Sequence, residues 1–287
     1  MMVSESIASL RGHFTENSGK KRGFIPTMGA LHDGHMSLVE QARRHGADYL
    51  IASIFVNPTQ FAPHEDFSKY PRSLEADLAK LAAAGVHEVF VPQAHDIYRD
   101  GFATEVTIRG LSEQLCGPFR PGHFAGVATV VLKLFTLVKP HVAVFGEKDF
   151  QQLQIIRRMV SDLELGIEII GVPTLRESSG LAQSSRNRYL VENERAAAAQ
   201  IYATLLATRQ DLLQLPTGTD SVEKIGEILN QGKAKLTAAG FMKIDYLAWV
   251  WNDSLLPVTA KPQKTQATRL AVAAFLGHIR LIDNIAV

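Results

Sequence analysis

The chain predicts an α/β fold, a doubly wound parallel sheet followed by a smaller α+β domain, and three stretches carry that prediction. The first is Asp48 to Val56 (DYLIASIFV), an almost unbroken apolar run of strand length, as expected of a strand covered by helices on both faces. The second runs from Phe24-Ile25 through Pro26-Thr-Met-Gly-Ala-Leu-His-Asp-Gly-His35 into an amphipathic stretch carrying Leu38, Val39 and Ala42. That is a strand, a glycine turn and the start of a helix. The third is the alternation of short apolar runs with helical stripes as far as Val172, which implies right-handed βαβ crossovers.

Taken in order, residues 3–17 read as a helix, with Val3, Ile7, Leu10 and Phe14 at helical spacing. The strand ending at Val56 meets Asn57-Pro58, where proline forbids a central strand from continuing. Asn57 to Pro71 is then a loop at the carboxyl end of a strand, the place where open α/β sheets build ligand sites. Ser73 caps a helix with Leu74, Leu78 and Leu81 inward and Gly85 at its close, and Glu88 to Val91 is the next strand. Between Asp96 and Pro121 the rhythm breaks, although Thr104 to Arg109 alternates as a strand would. From Phe124 it resumes. A stripe of Val127, Val130, Val131, Leu134 and Val138 precedes the strand His141 to Phe145. A helix with Leu153, Ile156, Val160 and Leu163 inward then leads to the strand Ile167 to Val172.

Beyond Pro173 the character changes: 191–238 is mainly helical, while 242–250 and 268–282 read as strands of a smaller sheet joined by a Pro/Lys-rich loop. The expected domains are 1–174 and 175–287.

A hydrophobic fraction of 46% with 21% charged residues is that of an ordinary globular protein. The formal net charge of +1 gives no reason to expect nucleic acid or a membrane surface as partner, so any positive potential is local. The lone Cys116 excludes an internal disulfide framework and a thiolate metal site, and it reads as a small, partly buried residue rather than a nucleophile. Glu5 comes early and no apolar core precedes Arg11, which argues against a secretory signal, and no run approaches the ~20 apolar residues of a membrane span. The expected compartment is the cytoplasm.

The glycine turn is also the first candidate site. A helix start aims backbone N–H groups and the positive end of the dipole at one spot, which suits a phosphate. His32 and His35 lie three residues apart, so one helical turn places both imidazoles beside that spot. His-x-Gly-His is the "HIGH" signature of enzymes whose substrates attack the α-phosphate of a nucleotide; two histidines solvating a helix start are the plainer reading. Gln60, on the strand-end loop, offers donor and acceptor to a substrate with hydroxyl and carboxylate groups, or is an ordinary loop residue. Gly146-Glu-Lys148-Asp-Phe-Gln-Gln152 brings a mobile cation and, one turn later, an amide after a strand. Asp149 there fits a helix dipole equally well. Ser184-Ser-Arg186-Asn187 is a clamp for a polyphosphate or a polar turn. Arg120-Pro-Gly-His123-Phe124 sets another arginine and histidine at a helix start, and no histidine pair has zinc-ligand spacing.

In this order the segments resemble the pantothenate synthetase (pantoate–beta-alanine ligase) family. Besides those quoted, the resemblance rests on Ser53-Ile-Phe-Val-Asn-Pro58, Lys69-Tyr-Pro-Arg72 and Arg280-Leu-Ile-Asp-Asn284, and it spans nearly the whole chain. It implies a Rossmann-like first domain (1–174) binding nucleotide and pantoate, a smaller C-terminal domain (175–287) that closes over the site as a lid, a homodimer, and ATP and magnesium ion (Mg2+) as requirements. The implied reaction has two steps: pantoate carboxylate attacks the α-phosphate to give pantoyl adenylate and pyrophosphate, and beta-alanine then displaces AMP.

By position, the resemblance assigns ATP binding to Met28, Gly29, Ala30, Leu31, His32, Asp33, Gly34 and His35, with His35 as proton donor. It also assigns ATP to Gly146, Glu147, Lys148, Asp149, Leu175, Gln183, Ser184, Ser185 and Arg186, with Lys148 and Arg186 neutralising charge at the α-phosphate. Gln60 and Gln152 would bind pantoate, Gln60 also beta-alanine, and Asp77 would contact magnesium; Asn57, Tyr70 and Arg120 are weaker assignments. Two departures from the family's pattern bear on ATP affinity: Ser179 where an aspartate is common, and Gln183 where an apolar residue is. Other readings are a different HIGH-type adenylyltransferase, which needs a phosphorylated acceptor, and an inactive nucleotide-binding scaffold. An aminoacyl-tRNA synthetase is disfavoured, because the chain has no Lys-Met-Ser-Lys-Ser loop.

Overall fold

A computed structural model of the chain describes residues 1–17, 19–61, 67, 70–71, 73–216, 222–263 and 265–287. The chain divides into two compact units. One takes Met1–Ser112, Arg120–Glu147 and Ile155–Pro173; the other takes Glu113–Phe119, Lys148–Gln154 and Thr174–Val287.

The first unit is built on six parallel strands: β1 (Met2–Ser4), β2 (Arg22–Thr27), β3 (Tyr49–Ile54), β4 (Glu88–Phe90), β5 (Val142–Gly146) and β6 (Glu168–Val172). Their order is β1-β4-β3-β2-β5-β6. The chain builds outward from β2 to one side through β3 and β4, then returns to β2's other side for β5 and β6. The carboxyl ends of β2 and β5 are therefore the switch point at which such sheets hold ligands. The helices are α1 (Ile7–Glu16), α2 (Asp33–Arg44), α3 (Leu74–Ala83), the short α4 (Ala94–Ile97), α5 (His123–Val138) and α6 (Phe150–Asp162).

Strand side chains alternate between faces, and both faces are apolar. Ile25, Leu50, Ala52, Val89, Val142 and Val144 share one buried cluster with Leu38, Val39 and Ala42 of α2 and Leu81 of α3. On the other face Phe135 of α5 sits edge-on to Phe24 and Phe145, at 6.3 Å between centroids in both pairs. Helices on both faces are what the unbroken apolar run at β3 requires.

Two expected elements differ. Residues 3–5 do not belong to the first helix: Met2–Ser4 is an edge strand paired with β4. The helix starts at Ile7 because Ser6 caps it, its hydroxyl accepting from the Ser9 N–H at 3.1 Å. Thr104 to Arg109 forms no strand. Its alternation reflects docking on a helix instead, with the Val106 N–H donating to the Thr129 hydroxyl of α5 at 2.9 Å.

The second unit has helices α7 (Glu192–Leu213) and α8 (Val222–Ala238) and an antiparallel sheet β7 (Lys243–Trp251), β8 (Thr268–Leu276) and β9 (Ile279–Ala286) in the order β7-β8-β9. Its core joins Ile201 and Leu205 of α7, Leu236 of α8 and Trp249, Leu270 and Val272 of the sheet. The fold class expected from the sequence, a parallel α/β sheet plus a smaller α+β part, is the one observed. Among the described residues no helix is long and apolar enough to cross a membrane.

Candidate active site

The turn between β2 and α2 is held by groups distant in sequence. Gly29 and Ala30 adopt left-handed φ values of 81° and 52°. That conformation costs a non-glycine residue energy unless neighbours fix it. Asp77, on α3 and 1% exposed, does so: its two carboxylate oxygens accept from the N–H groups of Ala30 and Leu31, both at 2.8 Å. Lys80 of the same helix donates to the Leu31 carbonyl, and the Gly29 N–H donates to the Thr27 hydroxyl. Two of the turn's N–H groups that the sequence offered to a phosphate are thus taken by a carboxylate, which fixes the shape of the turn. What the turn presents is its histidines.

His32 and His35 stack obliquely, with ring centroids 4.2 Å apart. His35 accepts the His32 backbone N–H on Nδ1 at 3.3 Å. In the neutral ring the proton then sits on Nε2, so His35 has a donor on its far side.

Gln60 is buried in the 3-10 turn Pro58–Gln60 after β3, and backbone groups fix the direction of its amide. Asn57 donates from Nδ2 to the Gly126 carbonyl at 3.1 Å and accepts on Oδ1 from the Thr59 N–H, so its own orientation has no alternative. Tyr98 donates to the same Oδ1 at 2.8 Å; burial pushes its phenol up, opposed by its hydrogen bonds to Thr59 and Asn57, so it stays a donor. Asn57 Nδ2 then faces Gln60 Oε1 at 3.2 Å, which leaves Gln60 Nε2 pointing at the Met28 sulfur, 2.8 Å away. A thioether is a weak acceptor, readily exchanged for a hydroxyl or carboxylate oxygen.

The second unit carries the cations. Lys148 lies in the 3-10 turn Glu147–Asp149, its ammonium 3.9 Å from the Asp149 carboxylate, a loose ion pair. The Lys148 carbonyl accepts from Asn284 Nδ2 at 2.9 Å, and Asn284 Oδ1 accepts from Arg269 at 2.7 Å, which ties the turn to β8 and β9. Gln152 is half-buried in the first turn of α6. Its neighbour Gln151 has a different task, accepting from the Cys116 N–H at 2.9 Å and donating to the Gln114 carbonyl at 2.6 Å. Leu175 and Gln183 come together across a small hairpin, the Gln183 N–H donating to the Leu175 carbonyl at 2.9 Å. A two-point ion pair from Arg176 to Asp283, at 2.6 and 2.9 Å, pins that hairpin to β9. Ser184 caps the 3-10 turn Ser185–Tyr189, which carries Arg186, by accepting the Arg186 N–H. Gly146, at the end of β5, has open space where a Cβ would stand, so protein packing does not demand a glycine there.

The structure adds a role to two of the assigned positions. Asp77 holds the turn with both oxygens, and among the described residues no group of three or more His, Cys, Asp or Glu side chains can hold a metal. Ala30 and Leu31 are buried and their N–H groups committed, so they shape the site rather than line it. Cys116 is a packed side chain, as the sequence suggested, buried beside the Tyr246 hydroxyl 3.1 Å away. Lys69 and Arg72 lie outside the described residues. The Asp77 clamp carried no local signal in the sequence, since it joins positions 46 and 47 residues apart.

A parallel α/β sheet in which β2, at the switch point, runs into a His-x-Gly-His turn defines the class of architecture and places the candidate site at that turn. The family model for pantoate-beta-alanine ligase matches residues 2–286, and the chain belongs to that family. It is 48% identical to the pantothenate synthetase of Rhodospirillum rubrum over 285 residues, 99% of this chain and 97% of that one. It is 46% identical to that of Geobacter sulfurreducens, over 99% and 98% of the two chains. The crystal structure of pantothenate synthetase from Thermus thermophilus superposes with a TM-score of 0.90 at 45% identity, covering 99% of each chain. The pantoate-beta-alanine ligase of Francisella tularensis, complexed with beta-gamma ATP and beta-alanine, superposes with a TM-score of 0.79 at 36% identity, covering 99% of this chain and 97% of that one.

Proposed function

We propose that the chain condenses (R)-pantoate with beta-alanine at the expense of ATP, giving pantothenate, AMP and pyrophosphate through a pantoyl adenylate, a step towards coenzyme A. The observation that carries this reading is the acceptor side: Gln60 offers a neutral, directionally fixed N–H to an oxygen of the acid substrate. A phosphorylated acceptor, which other HIGH-type adenylyltransferases use, calls for cations at that position instead.

In the first step a pantoate carboxylate oxygen attacks the α-phosphorus, the bond to the bridging oxygen breaks, and pyrophosphate leaves with the electron pair. His35, through Nε2–H, and His32 donate to the phosphate oxygens on which charge develops. Lys148 and Arg186 add positive charge, which matters most as the phosphorus becomes five-coordinate. The turns around Gly146, Asp149, Leu175, Gln183, Ser184 and Ser185 hold the rest of the nucleotide, and Gln152 is the second amide for pantoate. In the second step the neutral amine of beta-alanine attacks the acyl carbon, AMP leaves, and the amine proton passes to phosphate or solvent. A free carboxylate is a poor acyl donor and an acyl phosphate anhydride a good one, which is why ATP is consumed. Magnesium enters this reading as the counter-ion of the ATP phosphates, and no step runs through a metal site of the protein. A cytoplasmic homodimer is part of the same reading; sedimentation of the purified chain at twice 31.5 kDa tests the dimer.

Exchange of labelled pyrophosphate into ATP tests the reading. We expect exchange that depends on pantoate and proceeds without beta-alanine, with AMP released only when beta-alanine is added. Absence of exchange with pantoate contradicts the ligase reading, and exchange with a phosphorylated acceptor favours an adenylyltransferase.

A further inference from the structure

We propose that His123 is a positioning residue for pantoate recognition, acting through the backbone of Gln60; the proposal rests on the assignment of Gln60 to pantoate. Gln60 ends a 3-10 turn of three residues, too short to be stiff by itself, and its side chain leaves the backbone at the last position of that turn. Two features of α5 brace it. Gly126 brings the helix so close that a Cβ there would stand 2.4 Å from the Thr59 carbonyl oxygen. One turn earlier, His123 Nδ1 lies 2.8 Å from the Gln60 carbonyl oxygen.

The chemistry of the partners fixes the state of the ring. A carbonyl only accepts, so His123 Nδ1 carries the proton and donates. A guanidinium only donates, and Arg120 Nη1 lies 2.9 Å from His123 Nε2, so that nitrogen is the unprotonated acceptor. Arg120 thereby holds His123 as the neutral Nδ1–H tautomer, the one form that can both receive the guanidinium and hold the Gln60 carbonyl. The two ends of the residue are then set independently: Asn57 orients the Gln60 amide, and His123 sets where its backbone, and hence its Cβ, stands. A site residue held at both ends loses little freedom on binding, and loosening one end weakens recognition of the substrate it touches.

The test uses two amide replacements that imitate different halves of the imidazole. In His123→Asn the amide nitrogen falls near the position of Nδ1 and can still donate to the Gln60 carbonyl. In His123→Gln the amide group falls near Nε2, and the Nδ1 donor is lost. Glutamine is the better helix former of the two, so an effect on α5 alone favours His123→Gln, whereas positioning favours His123→Asn. With the full-length protein we expect His123→Gln to raise the KM for pantoate about tenfold, the scale of one lost hydrogen bond, with the KM for ATP within about twofold of the parent. His123→Asn should restore the pantoate KM to within about threefold. Gln60→Ala, measured alongside, should raise the pantoate KM at least as much as His123→Gln. An unchanged pantoate KM in His123→Gln, with Gln60→Ala impaired, overturns the role of His123 while leaving that of Gln60 intact. Equal KM effects of the two His123 variants, tracking their losses of melting temperature, reduce His123 to a structural residue. An unchanged pantoate KM in Gln60→Ala overturns the assignment of Gln60 and the proposal with it.

Discussion

The proposed reaction assigns different kinds of group to the two units, and each unit holds its own differently. The first presents two imidazoles and an amide on a frame of hydrogen bonds: Asp77 to the Ala30 and Leu31 N–H groups, Asn57 to Gln60, and His123 to the Gln60 carbonyl. The second presents cations from short 3-10 turns, with Lys148 and Arg186 only half-buried and the fixed contacts placed behind them, at Asn284 and at the Arg176–Asp283 pair. Preorganised hydrogen-bond donors set position and direction, whereas charges act over distance and tolerate looser geometry. Substitutions in the first unit should therefore couple activity to stability, and those in the second should change the chemistry while leaving the fold alone.

His35→Ala is the most damaging of these changes. Adenylate formation, followed by pyrophosphate exchange, should fall by ~10²-fold or more. Full activity in this variant would reduce the histidine pair to helix-start residues and remove the first unit's half of the comparison. Lys148→Gln should follow, lowering kcat by roughly 10- to 100-fold with little change in the pantoate KM. Its urea midpoint should move less than that of Asp77→Asn, because the Lys148 ammonium makes only a 3.9 Å ion pair.

Asp77→Asn separates the two units most sharply. An asparagine offers one acceptor where the turn needs two, so a buried N–H loses its partner at a cost of about 1–3 kcal/mol. We expect that loss in urea unfolding, together with a raised KM for ATP as the turn relaxes. A stable variant with an altered magnesium dependence would return Asp77 to the metal. The smallest effect concerns His87, at the amino end of β4. Its pKa is lowered from the ordinary 6.5, first by burial and then by Lys20 and Arg43, and its Nδ1 accepts the Leu50 N–H at 2.9 Å. The folded state binds the proton less readily than the unfolded one, so this stabilisation is present above pH 6.5 and is lost as pH falls through the lowered folded value. The ring is exposed, so the loss should be a fraction of a kcal/mol. Urea titrations at pH 7 and pH 5 should show it in the parent chain and a flatter response in His87→Asn.

The fold was readable because a parallel sheet buried on both faces writes itself as apolar runs, and the stretch around Leu50-Ile51-Ala52 has no other economical interpretation. Met2–Ser4 was not, since three residues carry no period, and Val3 happens to fall in helical step with Ile7. The cap at Ser6 was the usable signal there. In the candidate site, local motifs disclosed the histidines, Gln60, Lys148 and Arg186. The bracing roles were silent: Asp77 and His123 act on backbone groups 46 to 63 positions away, and pairs at such distances have no spacing rule. The candidate site was legible in short patterns, whereas the bracing of those patterns exists only in the folded chain.

The central claim is that the pantoate carboxylate itself attacks the α-phosphate. Pantoate labelled with 18O in both carboxylate oxygens, turned over with ATP and beta-alanine, tests it by mass spectrometry of the products. The account predicts AMP carrying one 18O, pantothenate retaining one, and unlabelled pyrophosphate. Unlabelled AMP, or label in inorganic phosphate released together with ADP, would contradict it and move the attack to another phosphorus.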